Sequence, residues 1–409
     1  MPRLLLLLPT TTYRTKAFID AAIKLGVEVV AASEKPSTLA QKNPANLLTL
    51  DFLDPEKAGR EAAEFARQFP VDAVIPVDED TAVVAATIAR TLALDHNSVE
   101  SVRAAKNKFL MREALSRARV RVPRYCHFSL DDDLAEISKR ISYPCVVKPV
   151  SLSTSRGVMR ADNASEFVRA VERLKHIVEK KDVARRGGAA ARRALAEGFI
   201  PGKEVAVEGL VSDGHLRVLA IFDKPDPLDG PFFEETIYVT PSRLTKSAQQ
   251  EIEATTAAAV QAMGLTRGPV HAELRINDDG AWVIEVAARA IGGLCSRALR
   301  FGRNVSLEEV ILSHALGRDD KLEREASAAG VMMIPVPRAG VLREVAGLDD
   351  AKRVDNIEDI IISAHITQQI APPPEGASYL GFIFSRAASP DAVEAALREA
   401  HNRLRFIIE

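Results

Sequence analysis

The stretch HAELRINDDGAWVIEVAARAIGG, residues 271–293, contains two apolar segments separated by the turn-forming sequence NDDG. Apolar and polar residues alternate on both sides of this turn, which predicts a β-hairpin. If residues 278–280 form a three-residue loop, Gly280 takes the left-handed conformation that this loop type favours. Counting back along both strands then gives four opposed pairs: Asn277 with Ala281, Arg275 with Val283, Glu273 with Glu285, and His271 with Ala287.

The predicted hairpin brings two carboxylates together. Alternation along the first strand places His271, Glu273 and Arg275 on one face. The opposed Glu273 and Glu285 have Cβ atoms about 4.5–5.5 Å apart in such a hairpin, where like charges destabilise a sheet. An internal salt bridge to Arg275 or Arg289 is one way to offset the repulsion. A divalent cation fits better, because Mg²⁺ is usually held by one or two carboxylates together with substrate phosphates.

The bulk composition limits the possible functions. A length of 409 residues predicts two or three domains, at about 100–200 residues each. The 54 basic and 56 acidic residues give a net charge of −2, which creates no field for nucleic acid or an anionic membrane. Three cysteines are too few for a disulfide framework or a zinc cluster, so a reducing cytoplasm is the simplest location.

The leucine run at residues 4–8 resembles the start of a secretion signal, because a basic residue precedes it. The run is shorter than the apolar core of a signal peptide, about 7–15 residues. No stretch approaches the about 20 apolar residues of a membrane span. We therefore predict a buried parallel strand at residues 4–8.

The order of elements predicts a mixed fold of α/β and α+β type. Strands and helices alternate over the first 105 residues, which indicates a doubly wound parallel sheet. No GxGxxG sequence follows the first strand, so the dinucleotide-binding fingerprint is absent. From residue 198 to 290 strands alternate with turns, which favours antiparallel pairing. Near the end of the chain, Ser389 and Pro390 are typical of the N-cap and first residue of a final helix.

Three further segments carry candidate ligands for a phosphate or a base. Lys148 ends the apolar strand CVVKP, and the loop SLSTSRG at 151–157 supplies hydroxyls and backbone N–H groups that can surround phosphate. Taken alone, Lys148 also fits a solvent-exposed lysine, and the loop an ordinary turn. Lys108 lies on a predicted helix. Between Glu197 and Glu204 the chain reverses at a Pro-Gly pair, and such a bend can hold a flat base against backbone groups.

The order of these features resembles that of the ATP-grasp ligases over roughly residues 1–320. The resemblance rests on features that follow one another along the chain: Lys108, Lys148 with its serine-rich loop, EGFIPGKEV, Glu273, Glu285 and Arg289. It implies an ATP-grasp architecture with three parts: a doubly wound pre-grasp domain at 1–105, a two-lobed grasp domain at 106–325 with its small lobe at about 122–200, and a C-terminal extension at 326–409. The sequence AARAIGG and this extension are similar to the L-amino acid ligase subgroup, which makes dipeptides.

The resemblance also implies roles for individual residues. The predicted ATP contacts are Lys108, Lys148, Ser153, Ser155, Gly157, Glu197, Phe199, Ile200 and Glu204. The predicted ligands of Mg²⁺, with Mn²⁺ as an alternative, are Glu273 and Glu285. The predicted substrate contacts are Glu234, His271, Arg289, Gly292 and Gly293. Lys148 and Arg289 are expected to act in catalysis. Ala287 stands where most members have an asparagine ligand, which leaves the number of metal ions open.

The implied activity is an ATP-dependent ligation of a carboxylate, expected to be an amino acid, to an amine through an acyl phosphate. The partners are then small-molecule carboxylates and amines. Whether the protein forms a homodimer is left undecided by the sequence. The loop 222–244 is expected over the substrate cavity, where Asp223, Lys224, Glu234 and Glu235 are candidates to bind ammonium and carboxylate groups. Cys295 is interpreted as a packed small residue and not as a nucleophile. Two alternatives are a ligase for a carboxylate that is not an amino acid, and a nucleotide-binding protein without catalysis.

Overall fold

The computed structural model describes residues 1–180, 183–184, 187–318 and 322–409. The N-terminal part contains a parallel sheet whose strands are β1 (Arg3–Leu7), β2 (Glu28–Ser33), β3 (Leu47–Thr49) and β4 (Ala73–Pro76), in the order β3-β2-β1-β4. Its helices are α1 (Thr15–Leu25), α2 (Pro55–Gln68) and α3 (Glu79–Thr91), with a 3₁₀ turn at Ala40–Lys42.

The leucines of β1 explain why this sheet is covered on both faces. Leu4 and Leu6 pack in one core cluster, whereas Leu5 and Leu7 pack in another. All four are 0 % exposed, as expected for an inner parallel strand between two layers of helices. The predictions of a doubly wound sheet and of a buried parallel strand in this run are confirmed.

Two helices, α4 (Val99–Lys106) and α5 (Lys108–Arg117), lead into a small lobe. The small lobe is an antiparallel sheet in the order β5-β8-β6-β7, formed by β5 (Tyr125–Ser129), β6 (Cys145–Pro149), β7 (Met159–Ala161) and β8 (Arg193–Gly198). Its helices are α6 (Leu134–Ser138) and α7 (Ala164–Val178), and a 3₁₀ helix at Gly188–Arg192 precedes β8.

The large sheet is antiparallel and has eight strands. Its first five strands are β9 (Lys203–Ser212), β10 (His215–Asp223), β11 (Ile237–Thr240), β12 (Arg267–Asn277) and β13 (Gly280–Ala287). Two short strands, β14 (Arg300–Phe301) and β15 (Val305–Ser306), form a separate pair. The helices of this region are α8 (Lys246–Ala262), α9 (Leu307–Ala315) and a 3₁₀ helix at Cys295–Ala298.

The C-terminal part completes the same sheet. Its elements are β16 (Ala328–Ile334), β17 (Gly340–Ala346), α10 (Leu348–Lys352), β18 (Ile357–Ile362), β19 (Gln369–Ile370), β20 (Gly381–Ala387), α11 (Pro390–Arg403) and β21 (Arg405–Ile408). Strand β16 pairs with β11, which gives the order β13-β12-β9-β10-β11-β16-β20-β18, while β19, β17 and β21 form a small sheet. The boundary predicted near residue 325 therefore separates two sequence segments that share one sheet.

The hairpin of β12 and β13 differs from the predicted register in an informative way. Asn277 pairs with Gly280, so the loop has two residues instead of three, and Arg275 faces Trp282 instead of Val283. A bulge at residue 284 then restores the predicted pairs of Glu273 with Glu285 and of His271 with Ala287. Bulges insert one unpaired residue and re-aim the side chains beyond it.

The reason for the shorter loop lies in the side chain of Asn277. Its Oδ1 accepts from the backbone N–H of Asp279 at 3.0 Å and from Nε1 of Trp282 at 3.3 Å. An asparagine that bonds to the backbone two residues later stabilises a tight turn. Gly280 has φ +110°, so the expectation of a glycine in the positive φ region is met at this position.

The final helix begins as predicted, because the Ser389 hydroxyl accepts from the N–H of Ala392 and Pro390 is the first helical residue. No helix among the described residues combines the length and the apolar character that a membrane span needs.

We expect Asn277→Ala to destabilise the hairpin. The variant loses the two bonds above and a third from Nδ2 to the Pro201 carbonyl at 2.9 Å, and a hydrogen bond contributes about 0.5–1.5 kcal/mol. For three bonds the free energy of unfolding should fall by about 1.5–4.5 kcal/mol in urea titrations followed by the fluorescence of Trp282, the single tryptophan of the chain. Asp278→Ala, which truncates an exposed side chain of the same loop, is the control. An equal loss in both variants would contradict the role of Asn277.

Candidate active site

One cavity lies between the small lobe and the large sheet. It brings together most of the residues predicted from the sequence to contact ATP, metal or substrate: Lys108, Lys148, Ser153, Ser155, Glu197, Phe199, Ile200, Glu204, His271, Glu273, Glu285, Arg289, Gly292 and Gly293. Residues from the N-terminal and C-terminal parts, such as Tyr13 and Tyr379, line it as well. Their roles stay predictions, but their convergence on one cavity is a property of the fold.

Two predicted residues lie outside the lining of this cavity. The backbone N–H of Gly157 donates to the carbonyl of Pro374 at 2.9 Å, and its φ of +75° gives the serine-rich loop its turn. The carboxylate of Glu234 accepts from the N–H of Val336 at 3.4 Å, whereas its neighbour Glu235 lines the cavity. Of these two candidate substrate contacts, Glu235 is therefore the one that lines the cavity.

Lys148 belongs to a buried ion-pair network at the cavity and is almost fully shielded from solvent. The lysine is 6 % exposed, and its Nζ lies 2.7 Å from the carboxylate of Glu197. Nε of Arg112 contacts the same carboxylate at 2.7 Å. Burial raises the pKa of Glu197, but Arg112 and Lys148 outweigh it and bring the pKa to about 2. The interpretation of Lys148 as a surface lysine is wrong, and Glu197 orients its ammonium group.

Each of the two opposed glutamates, Glu273 and Glu285, forms an ion pair with a lysine. Nζ of Lys224 lies 3.6 Å from Oε1 of Glu273, and Nζ of Lys108 lies 3.2 Å from Oε2 of Glu285. The ammonium group of Lys108 also donates to the carbonyl of Leu152 at 2.7 Å. Both carboxylates remain partly open to the cavity, with side chains 22 % and 29 % exposed. Two neighbouring carboxylates that face a cavity fit the ligand preference of Mg²⁺.

The predicted alternative, a salt bridge from these glutamates to Arg275 or Arg289, is wrong. Nε of Arg275 pairs with Glu204 at 2.8 Å. Nε of Arg289 pairs at 2.9 Å with Glu79, the first residue of α3 in the N-terminal part. Burial lowers the pKa of Arg289, but the charges of Glu79 and Glu285 raise it by more. The net effect is a raised pKa, so the guanidinium stays charged at the edge of the cavity.

Lys224 is the centre of a buried cluster of charges. Its Nζ lies 2.8 Å from Glu204 and also contacts Glu235, in addition to Glu273. Oxygens of the three carboxylates lie within 4.8 Å of one another. Burial lowers the pKa of Lys224, but the carboxylates outweigh it and raise the pKa well above its usual value. The ammonium thus occupies a position among the three carboxylates where a metal ion would otherwise fit.

Glu208 fixes His271, although nothing in the sequence analysis singled it out. Glu208 is 0 % exposed, and its carboxylate accepts from the backbone N–H of Ile291 at 3.0 Å and contacts Nδ1 of His271 at 3.1 Å. The carboxylate therefore ties the loop with Gly292 and Gly293 to β12. The available signal was its position four residues after Glu204 on the same strand, because such residues share one face.

Cys295 lies in the wall of the cavity as a packed residue. Its side chain is 2 % exposed, and burial raises the pKa of its thiol, so that it stays protonated. A nucleophilic cysteine needs a lowered pKa. The interpretation of Cys295 as a structural residue agrees with this environment.

We expect Lys224→Met to convert the charge cluster into a cation site. The variant leaves three carboxylates without their shared partner, and loss of one member of a buried ion pair costs about 3–5 kcal/mol. The melting temperature should fall without divalent cation and partly recover with Mn²⁺. Titration calorimetry should detect one more bound Mn²⁺ than in the unchanged protein. Lys203→Met removes an exposed lysine at the start of β9 and is the control. Equal Mn²⁺ stoichiometry in the two variants would contradict the assignment.

Three family models match successive parts of the chain. They are the ATP-grasp N-terminal domain over residues 19–96, the ATP-grasp domain over 141–298, and the L-amino acid ligase C-terminal domain 2 over 332–409. An uncharacterized protein of Sinorhizobium fredii is 22 % identical over 404 residues, which cover 98 % of this chain and 82 % of that protein.

Two ligases are also similar to this chain. An alanine–anticapsin ligase of Bacillus subtilis is 28 % identical over 254 residues, which cover 58 % of this chain and 52 % of that enzyme. The match thus spans about half the length of this curated relative. The crystal structure of an L-amino acid ligase from Bacillus licheniformis superposes with a TM-score of 0.85 at 28 % identity, covering 100 % of this chain and 99 % of that one. The chain thus combines the N-terminal and grasp domains of ATP-grasp proteins with the C-terminal domain 2 of L-amino acid ligases, and its fold matches that of an L-amino acid ligase.

Proposed function

We propose that the protein joins the carboxylate of an amino acid to an amine and converts ATP to ADP and phosphate. The observation that carries the proposal is the convergence of Lys108, Lys148, Glu273, Glu285 and Arg289 on one cavity. Lysines and an arginine suit the phosphate groups of ATP, and the paired glutamates suit a divalent cation. The ATP-grasp and L-amino acid ligase family matches support the same reaction class.

The reaction needs activation, because a carboxylate is a poor acyl donor. In the first step a carboxylate oxygen attacks the γ-phosphorus of ATP, the bond to the β-phosphate oxygen breaks, and ADP leaves. In the second step the amine attacks the acyl carbon, phosphate leaves, and the nitrogen loses a proton. Transfer of this kind depends on positioning and on charge neutralisation. Enclosure between the lobes would keep water from the acyl phosphate.

The residues divide these tasks in the proposed complex. Lys108 and Lys148 neutralise phosphate charge, and Arg289 contacts the transferred phosphoryl group and the acyl phosphate. Glu273 and Glu285 would hold Mg²⁺, or Mn²⁺ as an alternative, which when bound supplies further positive charge to the phosphates.

The proposed nucleotide position uses the bend after Glu197. The backbone at Phe199 and Ile200 would hold the adenine, and Glu204 would bind the ribose hydroxyls. The guanidinium groups of Arg160 and Arg275 lie 4.4 and 4.9 Å from the ring of Phe199, which fixes that ring at the cavity. The serine-rich loop with Ser153 and Ser155 would cover the phosphates.

An amino acid is favoured over a carboxylate without an ammonium group because Glu235 lines the cavity near Glu273. Burial and the charge of Glu273 outweigh Lys224 and raise the pKa of Glu235 to about 7, so a second cation beside this carboxylate would stabilise its ionised form. The Tyr238 hydroxyl donates to Glu235 at 2.8 Å and holds its carboxylate. A substrate bound there would place its ammonium at Glu235 and its carboxylate toward the paired glutamates and Arg289. A nucleotide-binding protein without catalysis has no need for two opposed glutamates, whose repulsion destabilises a sheet.

The products and the role of Lys148 test the proposal together. The protein with ATP, Mg²⁺ and pairs of amino acids should release ADP and phosphate, measured by a coupled assay. Lys148→Ala should lower kcat by at least about a hundredfold, as for loss of one preorganised donor to the transition state. Lys203→Ala, at an exposed lysine, is the control. AMP and pyrophosphate as products would contradict the acyl phosphate route.

Thermal melting with a nucleotide tests the metal position. Mg²⁺ with a non-hydrolysable ATP analogue should raise the melting temperature, because ligands that bind the folded state stabilise it. Glu285→Gln should shrink this rise. The apo form should lose little stability, since the change removes a like charge opposite Glu273 as well as the contact to Lys108. A nucleotide-induced rise as large as in the unchanged protein would show that Glu285 does not hold the metal.

A further inference from the structure

Four residues of the cavity lining, Tyr13, Met333, Tyr379 and Phe382, form what we call the aromatic wall, and the last three pack in one apolar cluster. The ring centroids of Tyr13 and Phe382 lie 6.1 Å apart, and those of Tyr379 and Phe382 lie 6.3 Å apart, both in edge-to-face geometry. Tyr13 precedes α1, Met333 lies on β16, and Phe382 lies on β20. The wall is therefore assembled from the N-terminal and C-terminal parts, outside the segments that carry the phosphate and metal predictions.

The aromatic wall adjoins the proposed position of the substrate ammonium. Tyr379 and Glu235 line the same cavity, and burial followed by the charge of Glu235 raises the pKa of Tyr379. Tyr13 is only half-buried, and this partial burial, followed by the charge of Asp78, raises its pKa as well. Both hydroxyls therefore stay neutral, and the wall offers rings, a thioether and hydroxyls without a charge. Cys295, with its protonated thiol, packs in the same core as Phe382 and Met333.

We propose that the amino acid whose carboxylate is activated has a large apolar side chain, such as that of leucine, methionine or phenylalanine, which packs against the aromatic wall. This inference rests on the proposed function. An α-amino acid bound with its ammonium at Glu235 and its carboxylate toward Arg289 would direct its side chain into the remaining space of the cavity. That space is bounded by the wall.

The physical basis is the transfer of apolar surface from water to the wall. One methylene in an apolar pocket changes kcat/KM by about 10–200-fold. A leucine side chain should therefore be preferred over that of alanine by at least about tenfold. A charged side chain is disfavoured, because the wall offers no opposite charge to compensate for its desolvation.

The experiment uses the full-length protein with hydroxylamine as a common acceptor, so that no amine partner needs to be known. ADP release and hydroxamate are measured with glycine, alanine, leucine, methionine, phenylalanine, aspartate and lysine as carboxylate substrates. The expected result is the highest kcat/KM with the large apolar amino acids. Activity that is highest with glycine, alanine or a charged amino acid would overturn the inference and leave the ligase function intact. No ADP release with any amino acid would overturn the proposed function itself.

Two variants test whether the wall produces the preference. Tyr379→Ala should lower kcat/KM for leucine at least about tenfold more than it lowers kcat/KM for alanine. Tyr13→Ala should also lower kcat/KM for leucine more than kcat/KM for alanine. This variant tests the wall even if Tyr379→Ala does not fold, because Tyr13 is 50 % exposed and its truncation spares the core. Tyr125→Ala, on β5 of the small lobe, is the matched control. Equal losses for leucine and alanine in both wall variants would overturn the assignment.

Discussion

The candidate site depends on pairing carboxylates with cations where little water reaches them. A buried charge without a partner is costly, and removal of one member of a buried pair leaves the other uncompensated. Glu197 is therefore matched by Arg112 and Lys148, and the partly buried Glu285 is matched by Lys108. Both lysines also line the cavity. The ammonium groups that stabilise the folded state are thus already aimed at the space proposed for phosphate.

Around Lys224 the same pairing of buried charges involves three carboxylates. Glu204, Glu235 and Glu273 are the proposed contacts of the nucleotide sugar, the substrate ammonium and the metal, and one ammonium contacts all three. Ionisable groups that interact this strongly respond as a unit. A ligand that changes the charge at one of these carboxylates therefore changes the electrostatic potential at the other two. The cluster links three proposed subsites without requiring a moving part.

The sequence predicted the features that depend on local pattern. Period-2 alternation placed Glu273 on the cavity face, and the apolar run at residues 4–8 identified an inner strand of the parallel sheet. The loop length was wrong because the side chain of Asn277 selects a tighter turn. The pair of glutamates was nevertheless right, because the bulge at residue 284 compensates for the missing loop residue.

The partners of the site residues were not predictable in the same way. Glu79 lies 210 positions before Arg289, and Lys224 lies 49 positions before Glu273, as their residue numbers show. Such pairs form only when the N-terminal part and the loop after β10 fold onto the large sheet. Alternation describes which face a side chain takes, and it contains no information about which distant element covers that face. For this reason Arg275 and Arg289, which are near in sequence, were assigned to the wrong carboxylates.

The C-terminal part is best regarded as a component of the site. Its strand β16 continues the large sheet from β11. Its residue Glu375 forms a two-pronged ion pair with Arg173 of α7 at 2.6 and 2.9 Å, and Pro374 accepts from the N–H of Gly157. The C-terminal part thus positions the serine-rich loop proposed to cover the phosphates. Since it also supplies Tyr379 to the aromatic wall, the same segment borders the proposed nucleotide and substrate ends of the cavity, which gives it a structural reason to accompany the grasp domain.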